Sequence, residues 1–189
     1  TLALSATFQG YPDGLEQAYG PSYKPAPEVD ILDQGDVLAS GGPKEGLDMV
    51  HRWNTIAIDA SGLDHSPVPP GDPRIFGEQL GPGRASRAMA IVHIAIFDTV
   101  NDVMGGYRSY TGPQTVRKPI SLDAAISQAA HDTLVAMFPS QAASFDVKLA
   151  QDLQKVHNRH EKDNGVALGQ RVAQAILTMR VGDGAEIPE

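Results

Sequence analysis

Apolar positions recur with helical period through most of the chain, and most densely between Gly83 and Met104, which reads GRASRAMAIVHIAIFDTVNDVM. Projected at 100° per residue, Met89, Val92, His93, Ile96, Phe97, Val100, Val103 and Met104 fall on one broad arc. Arg84, Arg87, Asp98, Asn101 and Asp102 share the other side, which Ile91 and Ile94 interrupt. A surface helix needs an apolar stripe of only about 100°, so an arc this wide predicts the central helix of an all-α fold. Gly81-Pro82 before it and Gly105-Gly106 after it are the expected start and stop signals.

Weaker periods predict four more helices. Val50, Trp53 and Ala57 mark one over 48–60. Ser121 caps another that runs to about Phe138, with Ala125, Ala129, Leu134 and Phe138 inward, and Pro139 ends it. Ser140 is read as the cap of the next, whose stripe is Phe145, Leu149, Leu153 and Val156 and which finishes near His157. The run HNRHEKDN then reads as a charged corner, followed by a helix from Gly165 to Arg180 with Val166, Val172, Ala173, Ile176 and Leu177 on its apolar face. Gly165 and Gly169, four apart, permit close helix contact. Two loops, Ser61–Pro82 and Gly105–Pro119, separate these elements; the first is rich in proline and glycine, and loops of that length tend to be functional or packed down. The expectation is an all-α helical bundle of about five helices over 48–189, with no strand. Residues 1–47 lack helical period and read as an extended arm whose Tyr11, Tyr19 and Tyr23 lie against a surface, with full disorder as the alternative.

Composition narrows the partners. A length of 189 residues and 41% hydrophobic content suit one core-bearing unit. A net charge of -8 with no clustered Lys and Arg argues against nucleic acid or anionic lipid, leaving small molecules or protein. Disulfides and thiolate metal sites are excluded because cysteine is absent. The longest apolar run, Ala88–Phe97, falls far short of the ~20 residues of a membrane span. The chain opens on Thr1 and carries no charged segment leading into an apolar one, so a processed or trimmed N-terminus and a secreted or periplasmic location are expected.

Candidate chemistry is sparse. His93, inside the apolar arc, reads as a neutral, buried packing residue bonded to a backbone carbonyl rather than as a proton shuttle. Asp98 and Asp102, four apart, repel when both are ionised and should each find an outside partner, an arginine or solvent before a divalent cation. Gly81-Pro82-Gly83-Arg84 with Arg87 offers amides and guanidinium groups to an anion, although arginines docked on carboxylates of another segment are the commoner outcome. His157, His160 and Glu161 have zinc-like spacing but read as a solvated corner. No Gly-x-Ser-x-Gly elbow is present.

Three stretches in order, Arg52-Trp53-Asn54, GPGRASRAMAIVHIAIFDTVN from Gly81 to Asn101, and GVALGQRVAQAILTMRVGDG from Gly165 to Gly184, resemble the N-terminal helical half of the vanadium-dependent haloperoxidases, relatives of the type 2 phosphatidic acid phosphatases. The likeness runs from about Val50 to Gly184. In that family vanadate sits in the C-terminal half, on a lysine and an arginine, then Pro-Ser-Gly-His, then an arginine and a histidine. Pro139-Ser140-Gln141-Ala142 imitates the start of the serine motif without its Gly-His, so no catalytic, cofactor-binding or metal residue is carried over. The resemblance implies a non-catalytic N-terminal part of an enzyme that oxidises halide with hydrogen peroxide and halogenates organic substrates. Its partner would be a C-terminal catalytic half, and homo-oligomers are compatible with it. A phosphatase-like homologue, or a non-catalytic helical scaffold that binds a protein partner, is the alternative.

Overall fold

The computed structural model describes residues 46–185, which form an all-helical bundle with no strand among them. Its helices are α1 (Leu47–Asp64), α2 (Pro82–Met104), α3 (Leu122–Met137), α4 (Ala142–Lys155) and α5 (Arg159–Met179), with a short 3-10 turn at Pro139–Gln141 between α3 and α4. The arm expected over 1–47, with its tyrosines, lies outside the described residues up to residue 45. No described helix is long and apolar enough to cross a membrane.

The hub is α3 rather than α2. It touches all four other helices, most extensively α5. Ala124, Ala125, Ile126, Ala129, Ala130 and Leu134 are buried on it together with the polar Ser127, Gln128 and Thr133. A helix enclosed on every side shows no stripe, and small residues let its neighbours approach, so the pattern that marks it is alanine content rather than amphipathicity. At the α3–α5 seam a Cβ on Gly165 would lie 2.5 Å from the Ser121 carbonyl oxygen, and one on Gly169 2.5 Å from that of Ala125. Only glycine fits at either position.

Helix α2 buries a different face from the one expected. Ala88, Ile91, Val92, Ala95, Ile96 and Thr99 face the core, a face turned roughly a quarter of a revolution from the apolar arc. Val92 and Ile96 belong to both faces, whereas Phe97 stays 41% and Met104 55% exposed. Surplus apolar surface is thus left on this helix.

The boundaries of three helices differ from the sequence reading. Helix α1 continues past Ala60 to Asp64. Helix α4 begins at Ala142, because the Ser140 side chain donates to Glu78 instead of capping, and stops at Lys155. Helix α5 begins at Arg159: the supposed charged corner is its first turns, where Asn158 accepts from the His160 and Glu161 amides and donates to the Glu161 carboxylate.

Candidate functional site

The second loop, between α2 and α3, has little core of its own and is fastened by the polar residues of α2. Asn101 accepts from the Tyr107 amide at 2.9 Å and donates to its carbonyl at 3.0 Å. Asp98, fully buried, accepts from the amides of Tyr110 and Thr111 at 2.7 and 2.8 Å and from the Thr111 hydroxyl at 2.8 Å. Asp102 accepts from the Gln114 amide at 3.2 Å. The partners of Asp98 are therefore backbone amides and a hydroxyl rather than the arginine or solvent expected, whereas Asp102 is only half-buried and has the charge of Arg171 nearby as well as the Gln114 amide. A carboxylate can be buried this way because two or three N–H and O–H donors replace its hydration. For Asp102, burial pushes the carboxyl pKa above its ordinary value; the Gln114 amide works against this, the Asp98 charge adds to it, and Arg171 opposes it.

Helix α5 holds the same loop from the other side. Arg171 donates to the Thr115 carbonyl at 2.6 Å, Asn164 to that of Pro119 at 2.8 Å, and Arg180 to the Tyr110 hydroxyl at 2.7 Å while its guanidinium sits 5.8 Å from the centre of that ring. Between the loop and α2 an open cleft of about 840 Å³ remains. Ala90, Ile94 and Phe97 form its helix wall and Pro113 part of its loop wall, with Arg108 and Ser109 beside them. Phe97 also meets the Tyr107 ring at 6.1 Å in a tilted pair.

His93 borders this cleft and is half-buried rather than buried. Its Nδ1 donates to the Met89 carbonyl at 2.8 Å, as the packing role requires, and its Nε2 lies 2.9 Å from Oδ1 of Asn54. The imidazole is a clamp between α1 and α2. Trp53, next to Asn54, is wholly buried, and Arg52 pairs with the buried Asp152 of α4 at 2.8 Å. Arg87 donates to Asp183 at 2.8 Å and to the Arg180 carbonyl at 3.1 Å, which is the docking on another segment expected of it; hydrogen bonding to Arg87 holds the Asp183 carboxyl below its ordinary pKa. Ser140, in the segment that imitates the serine motif, donates its amide and hydroxyl to Glu78 at 3.0 and 2.6 Å. His157 and His160 are exposed, and Glu161 belongs to the α5 cap.

These residues do not build a vanadate site. An oxyanion needs several converging cationic donors, and a ligating histidine needs a free ring nitrogen. Both nitrogens of His93 are engaged, Arg87 is committed to Asp183 and Arg180, and no group of three or more His, Asp and Glu among the described residues is placed to hold a metal ion.

Sequence reasoning passed over Arg108, Ser109 and Tyr110, reading 105–119 as a plain connection. The available signal was the polar row Asp98, Asn101 and Asp102 on an otherwise apolar helix, directly before a glycine pair and a long loop: such a row must be satisfied by whatever follows. Comparison with family models, with curated proteins and with solved structures finds no match to this chain.

Proposed function

We propose that this chain is the non-catalytic N-terminal part of a vanadium-dependent haloperoxidase, with vanadate held by a C-terminal catalytic half. The observation that carries the reading is that the three resembling stretches meet in space. Asn54 of the first is bonded to His93 of the second, and Arg87 of the second is bonded to Asp183 and the Arg180 carbonyl of the third. Residues distant in sequence that form one hydrogen-bonded framework are what a shared helical scaffold requires.

Exposed apolar surface supports the need for a companion. Leu63, Ile75, Phe76 and Leu80, at the end of α1 and in the loop after it, are each more than two-fifths exposed. That loop is pinned to α1, where the Asp64 carboxylate accepts from the Glu78 and Gln79 amides and Arg74 donates to the Leu63 carbonyl. A fixed apolar patch of this kind suits a permanent partner. In this reading the chain supplies scaffold and one wall of the substrate channel, and halide, peroxide and organic substrate react in the companion half.

The test is expression with and without a polypeptide carrying Pro-Ser-Gly-His and a downstream histidine. Alone, the full chain is expected to bind a hydrophobic dye, to self-associate, and to show no oxidation of bromide or chloride with peroxide and vanadate. Together, the two should form a tight complex burying more than ~2,000 Å² and should oxidise halide. A complex that instead hydrolyses phosphate esters would assign the chain to a phosphatase-like homologue. A dye-silent monomer with no companion would mark a scaffold or binding domain and sink the proposal.

A further inference from the structure

We infer that the cleft between α2 and the second loop is a binding site for a small organic anion with a flat apolar body, an aryl carboxylate in chemical class. The cleft is within the 300–1,000 Å³ range of small-molecule sites and, like them, has mainly apolar walls with a few polar groups at the rim. Ala90, Ile94 and Phe97 along α2, opposed by Pro113, make a slot suited to a ring. The charge comes from Arg108. Its guanidinium makes no hydrogen bond or ion pair with any described residue, although the chain carries a net charge of -8 and its other arginines at helix contacts, such as Arg52 and Arg87, are paired with carboxylates. The planar fork of a guanidinium matches a carboxylate with two parallel hydrogen bonds. Next to it, Ser109 lines the same cleft, and its hydroxyl is buried without a protein partner, so that the side chain must turn to reach an occupant.

A second observation separates this cleft from an accidental gap. Arg108 stands on a loop held at both flanks by α2: Asn101 fixes Tyr107 on one side, and Asp98 fixes Tyr110 and Thr111 on the other. The guanidinium is therefore presented from a pre-set backbone, which lowers the ordering cost of binding. The carboxylate of Asp98 keeps its charge, but Asp98 is not among the residues that line the cleft, and its oxygens are turned to the donors of Tyr110 and Thr111. The ring of the ligand lies along Ile94 and Phe97, with its carboxylate on Arg108. This inference stands apart from the haloperoxidase proposal, since it rests only on residues of this chain and on equilibrium binding.

Equilibrium dialysis of the full chain at low salt against radiolabelled benzoate, benzamide and acetate tests it, because dialysis tolerates self-association. Benzoate is expected to bind about ten-fold more tightly than either, since only it has both the ring and the charge. Arg108→Gln should abolish the preference for benzoate over benzamide. Ala90→Phe, which fills the slot at an exposed position, should weaken benzoate and benzamide together. Both substitutions are at exposed residues, and circular dichroism checks that the variants remain helical. Equal binding of benzoate and benzamide, benzoate binding unchanged in either variant, or no benzoate binding by the wild-type chain would each overturn the inference.

Discussion

The two long loops are fastened by the same device and put to different ends. Each is anchored by a buried aspartate on a neighbouring helix that accepts from two successive backbone amides: Asp64 from Glu78 and Gln79, Asp98 from Tyr110 and Thr111. The first loop is then closed down further. Glu78 accepts from Ser140 and Gln79 donates to the Met137 carbonyl, so the loop is tied into the turn between α3 and α4, to which Gln141 also ties α1 through the Ala60 carbonyl. The second loop is held along its edges by α2 and α5 and stands off from α2 in between, which leaves a cleft. An anchored loop offers only its outer face where further bonds bring it onto the bundle, and encloses a cleft where its anchors hold it at a distance.

Breaking the anchors separates the two cases. Asp98→Ala is expected to be the most costly change, about 3 to 4 kcal/mol in chemical denaturation, because it leaves two amides and a hydroxyl without their acceptor. Asp64→Ala should cost about 2 to 3 kcal/mol, with two amides affected. Hydrogen exchange tells them apart: Asp98→Ala should expose the amides of Tyr110 and Thr111, and Asp64→Ala those of Glu78 and Gln79. The same amides opening in both variants would mean that the loops are not independent.

A smaller loss, about 1 to 3 kcal/mol, is expected when His93→Gln removes the clamp between α1 and α2, read from the shift in denaturation midpoint. Ser140→Ala should cost about 1 kcal/mol, since the backbone amide of residue 140 still bonds Glu78. Asp102→Asn should change stability by less than about 0.5 kcal/mol. Burial already disfavours the charge of this carboxyl, and an amide oxygen can still accept from Gln114.

Acidity probes a different contact. His131 on α3 places Nδ1 and Nε2 each 2.8 Å from a carboxylate, Asp132 and Asp146 respectively, the second on α4. Burial of the ring lowers its pKa, but the hydrogen bonds and charges of the two aspartates outweigh this and leave the pKa raised. The folded state therefore holds the proton more tightly than the unfolded one. The resulting stabilisation is fully present below the unfolded value of about 6.5 and is lost as pH rises through the higher folded value. The melting temperature should fall over that window in the wild-type chain and be flatter in His131→Gln; parallel profiles would show that the bridge carries no net energy.

Much of the fold was legible in the sequence because helices with one buried face announce themselves. Phe145 on α4 and Val172 and Ile176 on α5 were expected inward and are buried. The reading failed where burial has no period. Helix α3 is enclosed on all sides, so α2, with the widest apolar arc, looked central in its place. The true orientation of α2 was hidden for the opposite reason: Asp98 and Asn101 look like solvent-facing residues until the loop that satisfies them is known. The start of α5 is hidden because a charged first turn and a charged corner have the same composition, and only the Asn158 cap distinguishes them. The cleft depends on a loop folding back over its own helix, which no local pattern encodes.

The glycine seam between α3 and α5 makes the cleft sensitive to events on the far side of the bundle. Gly169 lets α5 rest directly on the backbone of α3; two residues further on stands Arg171, and at the C-terminal cap of the same helix Arg180, which hold Thr115 and Tyr110. A methyl group introduced at Gly169 would act as a wedge and α5 as a lever. The helix would be lifted from α3, its two arginines would carry the loop with it, and the slot beside Arg108 would change width although no residue lining it had been altered.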